Sequence, residues 1–67
     1  MATISDLWAA FEAFHDAYFI ATNGEAPSIE LWAKVGGCVY DIAGNVLFEF
    51  DTFDEAVEWL KEMVQDG

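Results

Sequence analysis

The hydrophobic pattern of this chain changes period once and then changes back, and no other feature constrains the fold as much. Leu7, Phe11, Phe14 and Tyr18 recur at spacings of four, three and four, which puts them on one stripe of an α-helix. Trp8 and Phe19 flank the stripe and widen it, while Ala9, Ala13, Ala17, Glu12 and Asp16 fall largely on the other side. Thr3 followed three residues later by Asp6 has the form of a capping box, so the helix is expected from about Thr3 to Thr22. Asn23-Gly24 stops it, and Pro27 marks the loop beyond.

From Ile29 the period becomes two. Ile29, Leu31, Ala33 and Val35 alternate with Glu30, Trp32 and Lys34, the pattern of a strand with one buried face. Gly36-Gly37 reads as a turn or a bulge. Cys38 to Ile42 is a second short strand, Ala43-Gly44-Asn45 a turn, and Val46 to Phe50 a third strand. If the double glycine is only a bulge, the first two strands merge and the sheet is a single hairpin. The helical period returns at Thr52 or Phe53, again with a capping-box pattern in Thr52 and Glu55. Phe53, Val57, Leu60 and Val64, with Ala56 and Met63, form the apolar face of this last helix, and Trp59 sits at its edge.

The expected fold is therefore α+β: helix, a two- or three-stranded antiparallel sheet, helix, with both helices on one sheet face in two layers. Residues 1–67 are long enough for a single domain. Strict alternation points Ile29, Leu31, Ala33, Val35, Cys38, Tyr40, Ile42, Val46, Phe48 and Phe50 towards the helices. It leaves Glu30, Trp32, Lys34, Val39, Asp41, Leu47 and Glu49 on the opposite face. The same element order occurs in double-stranded-RNA-binding domains. Those domains grip phosphates with basic loops and a basic helix start, where this chain has acids, so the likeness argues against RNA binding.

Charge narrows the function. Thirteen acids face two lysines, for a formal charge of −11, in a chain that is 55% hydrophobic and 16% aromatic. That is too apolar for a disordered acidic tail, and no run reaches the 18 apolar residues of a membrane span. The field rejects nucleic acid and anionic membranes and attracts basic surfaces, including those that hold phosphates. A solubility coat over a greasy small domain is the bland alternative. Adaptation to high salt fits less well with so many large apolar side chains. No signal peptide is visible after Met1, so a cytoplasmic location is expected, in the host cell if the protein is viral.

Catalysis is not expected. Cys38 is the only cysteine, which rules out a disulfide within the chain and a zinc site built on Cys pairs. Its place in a short apolar strand favours a buried, inert thiol. Glu12-Ala13-Phe14-His15 has the Glu-x-x-His spacing of di-iron bundles, but such sites need matching ligands from several helices, and His15 is the only histidine. Carboxylate pairs are too plentiful to mark a dyad, and 67 residues leave little room for a cleft that raises one pKa. No phosphate loop, calcium loop or Ser-His-Asp set is present, and no cofactor or metal is expected.

The residues expected to meet a partner are acids and one tryptophan. Asp54, Glu58, Glu62 and Asp66 stand four apart on the outer side of the last helix, a row of carboxylates about 6 Å from one another. Each like-charge pair costs the helix about 0.2–0.5 kcal/mol, and the helix dipole disfavours acids near its C-terminal end. Trp32, among Glu30, Asp41, Leu47 and Glu49 on the outer sheet face, has the character of an interface anchor. Trp8 and Trp59 are expected in the core or at its edge. In size, acidity and lack of catalytic residues the chain is similar to phage-encoded anti-restriction, anti-CRISPR and uracil-DNA-glycosylase inhibitor proteins. The likeness is one of class, carried by no shared motif. It implies a non-catalytic inhibitor whose carboxylates imitate nucleic-acid phosphates and block a basic nucleic-acid-binding protein, a host-defence or DNA-processing enzyme. The alternative is a small assembly module that forms a homodimer through the sheet face, with acidity serving solubility.

Overall fold

The computed structural model describes residues 1–32 and 36–66, and side chains through residue 65. The expectations for Ala33, Lys34 and Val35, and for the Asp66 side chain, lie outside the described residues. Two helices enclose a three-stranded antiparallel sheet in chain order: α1 (Ile4–Ala21), β1 (Ser28–Leu31), β2 (Gly37–Tyr40), β3 (Val46–Phe50) and α2 (Phe53–Asp66), with strand order β1-β2-β3.

Helix α1 begins as its sequence dictates. The Asp6 amide donates to Thr3 Oγ1 at 3.3 Å, and the Thr3 amide donates to the Asp6 carboxylate at 2.9 Å. This closes the capping box and satisfies two donors that a helix start leaves open. At the other end Asn23 adopts the left-handed conformation (φ 60°), and the Gly24 amide reaches back to the Phe19 carbonyl at 2.9 Å, a Schellman-type stop. Helix α2 opens with the Glu55 amide donating to Thr52 Oγ1 at 3.2 Å, while the Glu55 carboxylate accepts from the Asp51 amide at 3.3 Å.

Both helices pack on one sheet face. Leu7, Ala10 and Phe14 of α1 meet Ala56 and Leu60 of α2 over Val39 and Phe50 of the sheet, and these seven form one buried cluster. Trp59 extends it by lying flat on Phe48, with ring centroids 4.9 Å apart and planes 5° apart, and by touching Phe14 at 5.3 Å.

The strand faces differ from strict alternation in β2 and at the start of β3. The Trp32 amide donates to the Gly36 carbonyl at 2.9 Å, and Gly37 opens β2 opposite Leu31. The register sets Ile29 opposite Val39 and Leu31 opposite Gly37. Directly opposed residues share a face, so Val39 joins Ile29 and Leu31 on the core side and is fully buried. Cys38 and Tyr40, expected inward, lie on the outer side, Cys38 between its register partners Glu30 and Glu49 and Tyr40 between Ser28 and Val46. Ile42, also expected inward, stands 63% exposed in the β2–β3 turn. That turn closes with the Gly44 amide on the Asp41 carbonyl at 3.1 Å, and Gly44 takes φ +87°, a conformation that favours glycine.

A bulge accounts for the rest. Val39 pairs with Phe48, but Tyr40 pairs with Val46, which leaves Leu47 without a partner. An extra residue in one strand re-aims the side chains around it. Val46 is thereby set opposite Tyr40 on the outer side. Leu47 leaves the outer face and lines an apolar groove of about 240 Å³ with Phe14, Tyr18, Trp59 and Met63.

Candidate partner-binding surfaces

The outer sheet face is built on the row Glu30–Cys38–Glu49, which runs across the three strands. Cys38 is only 2% exposed although it faces away from the helices. Its thiol sits between two longer glutamates and donates to the Tyr40 hydroxyl at 3.4 Å. That hydrogen bond, then burial, then the nearby negative charges of Glu30 and Glu49 push the Tyr40 phenol up to about 12. Tyr40 therefore stays neutral at physiological pH, a hydrogen-bonding edge inside an anionic frame.

Trp32 stands where alternation placed it. Its indole is 43% exposed on the outer side, and its Nε1–H donates to Glu30 Oε1 at 3.1 Å. The bond orients the ring. An oriented, half-exposed tryptophan between carboxylates can take a flat cation such as a guanidinium against its face.

Two of the expected acids serve the fold itself. Asp41 accepts from the Ala43 amide at 2.9 Å, the Asn45 amide at 2.8 Å and the Asn45 side chain at 3.2 Å. These bonds, led by the Asn45 amide, hold its carboxyl below the usual carboxylate range. Asp54 accepts from the Ala2 amide and so ties the N-terminal residues to the start of α2. Sequence reasoning placed both in a partner surface, because an acid that organises a turn looks the same in a sequence as one that faces solvent. Asp6, which was not offered as a site residue, is held low in the same way by the Thr3 amide.

Glu58 and Glu62 are exposed on α2, on the side away from Ala56 and Leu60. The helical and sheet layers each turn one face outward, so these glutamates and the Glu30–Trp32–Glu49 group lie on opposite sides of the domain. The expected site is thus two surfaces, and Leu47 belongs to neither. Among the described residues the one acid–base contact within 4.0 Å is His15 Nδ1 to Asp16 at 3.6 Å, so Lys61 forms no ion pair with Asp54, Glu58 or Glu62.

The structure brings out one surface that the sequence reading did not. Trp8, Phe11, His15 and Phe19 form a continuous ladder along α1, each ring centroid 6.2 Å from the next. Trp8 and Phe19 are 47% and 45% exposed. Their spacing was legible, but their exposure was not, because the stripe that widens a core and the stripe that overhangs it have the same period.

Among the described residues no three His, Cys, Asp or Glu side chains gather as metal ligands, and no helix is long and apolar enough to cross a membrane. Comparison with protein-family models, curated proteins and solved structures gave no match.

Proposed function

We propose that this chain is a non-catalytic acidic binding protein that imitates nucleic-acid phosphates and occupies the nucleic-acid site of a basic protein. The observation that carries this reading is a coat of exposed carboxylates with almost no internal counter-charge: thirteen acids, two lysines and a single acid–histidine contact among the described residues. Carboxylates meant only to stabilise a fold are normally paired, capping or hydrogen-bonded. Asp6, Asp41, Asp54 and Glu55 answer that description, and Glu58 and Glu62 do not. An unpaired anionic row steers association with a basic surface and adds specificity there.

The two faces suit different parts of such a target. The α2 row offers charge alone, as a phosphate backbone does. The outer sheet face adds Trp32 and neutral Tyr40, contacts that a phosphate backbone lacks. The partner is a host-defence or DNA-processing protein with a cationic groove.

The test is capture from a bacterial lysate on the immobilised chain, followed by elution with duplex DNA and with salt. The reading expects a nucleic-acid-binding protein that DNA displaces and that the Glu58→Gln/Glu62→Gln variant holds at least tenfold more weakly, with a flatter salt dependence. Capture that DNA does not compete, or equal capture by the variant, sinks it.

A further inference from the structure

The outer sheet face is low in the middle and framed at its edges. Cys38 lies between Glu30 and Glu49 in the register, and Tyr40 follows it on the same side. One step before Cys38, the Trp32 amide bonds to Gly36. A Cβ placed on Gly36 would come within 3.4 Å of Trp32 Cε3, so the indole leans over that glycine. Cys38 is 2% exposed, and its thiol donates to the Tyr40 hydroxyl. Two small residues thus form a floor, with an indole at one end and a phenol at the other. Exposed Glu30 and Glu49 flank it, two strands apart and so about 10 Å from each other at the backbone.

We infer that this face receives an arginine side chain of the basic partner, its guanidinium laid on the Trp32 indole and donating to Glu30 and Glu49. The inference rests on the proposed function for the partner's positive charge and goes beyond it in naming the residue and its seat.

Charge complementarity selects the occupant. An apolar surface docked here would bury two glutamates without a partner, which costs several kcal/mol per ion. A phosphate or another acidic surface is repelled by them. A cation satisfies both, and the shape of the frame favours arginine over lysine. An ammonium is a compact, strongly hydrated point charge, whereas a guanidinium is flat, more weakly hydrated and carries five donors in one plane. It can stack on an aromatic face and still present N–H groups sideways to carboxylates. The Trp32 Nε1–H bond to Glu30 at 3.1 Å fixes the indole beside its carboxylate, so both halves of that recognition are held together before the partner arrives. The α2 row has carboxylates and no such ring, and it takes lysine and arginine as charges.

The test is titration of the full chain with an oligoarginine and an oligolysine peptide of equal length, followed through the indole N–H resonances. Oligoarginine should move the signal of Trp32 and leave those of Trp8 and Trp59 in place. Trp32→Ala should weaken oligoarginine about two- to fivefold and leave oligolysine unchanged. Glu58→Gln/Glu62→Gln should weaken both peptides alike. Trp32 is 43% exposed, and a circular dichroism spectrum checks that its variant is folded. Glu49→Gln, which leaves the indole untouched, should also weaken oligoarginine. A Trp32 signal that oligoarginine does not move, or a Trp32→Ala variant that weakens both peptides equally, overturns the inference. The assay needs no natural target, so the two readings fail separately. Arginine seated at Trp32 beside lysate capture that DNA does not compete supports this inference and sinks the nucleic-acid reading. DNA-competed capture with an unmoved Trp32 signal does the reverse.

Discussion

At Gly37 a methyl group would overlap the Glu30 carbonyl oxygen and lie 2.9 Å from the Phe50 ring. The absence of a side chain there lets Phe50 lie over the sheet with 1% of its surface exposed. Gly37→Ala is expected to cost about 1–3 kcal/mol by overpacking, read as a lower urea midpoint at unchanged slope. A midpoint within error of the parent would show that β1 and β3 can move apart freely. Asp6 and Asp41 give a second prediction at this scale. Both carboxyls are held below their ordinary value of 3.8 by backbone amides. A depressed folded-state pKa contributes stability that is full above the unfolded value and is lost as pH falls through the folded one. Above that window acidification has the opposite effect, because it removes charge from a chain at −11. The melting temperature should therefore rise as pH falls from 7 towards the carboxylate range, and then fall below about 3.8 as the two caps protonate. A melting temperature that only declines from pH 7 downward would mean that self-repulsion is negligible. The double glycine was visible in the sequence, but its reason was not: the atoms that crowd Gly37 come from residues 30 and 50.

At the scale of elements, the helices were legible and the strand faces were only partly so. The capping box of α1 lies within four consecutive residues and its stop within another six, so local chemistry decides both ends. Strand facing depends on register, and register depends on how the chain returns. With the pairing closed between Trp32 and Gly36, odd positions of β1 meet odd positions of β2. One residue more or less in that connection would have put Cys38 and Tyr40 inside, where alternation had placed them. The bulge at Leu47 shifts the register once more, and neither event has a short sequence signature. Trp32, Glu30 and Glu49 kept their expected face because β1 and the end of β3 lie on the regular side of those two events. For α2, Glu58→Gln/Glu62→Gln removes the like-charge spacings at 54–58, 58–62 and 62–66, so the helix should gain roughly 0.6–1.5 kcal/mol. A gain in thermal stability beside a loss of partner capture would mark these glutamates as kept for binding. A loss of stability would show that they support the fold.

For the whole molecule, charge and dimensions set the balance. The domain measures 32 × 23 × 16 Å. At about 0.01 M salt the Debye length is about 30 Å and every carboxylate senses most of the others, whereas at about 0.15 M it is about 8 Å and only neighbours interact. The melting temperature should therefore rise between those conditions, by roughly 4–8 °C if screening is worth about 1 kcal/mol. A flat profile would mean that the acids are too far apart to repel. The sequence by itself determined the two helices and their caps, the order of elements and the anionic character, because each follows from neighbours in the chain or from a count. The tertiary structure alone decided which side of β2 meets the core, that Asp41 and Asp54 are spent on the backbone, that the outer acids divide between two opposite surfaces, and that the aromatic flank of α1 is left uncovered. Those outcomes depend on what lies across a strand or beyond a core, and no local pattern records the distance between residues that only folding brings together.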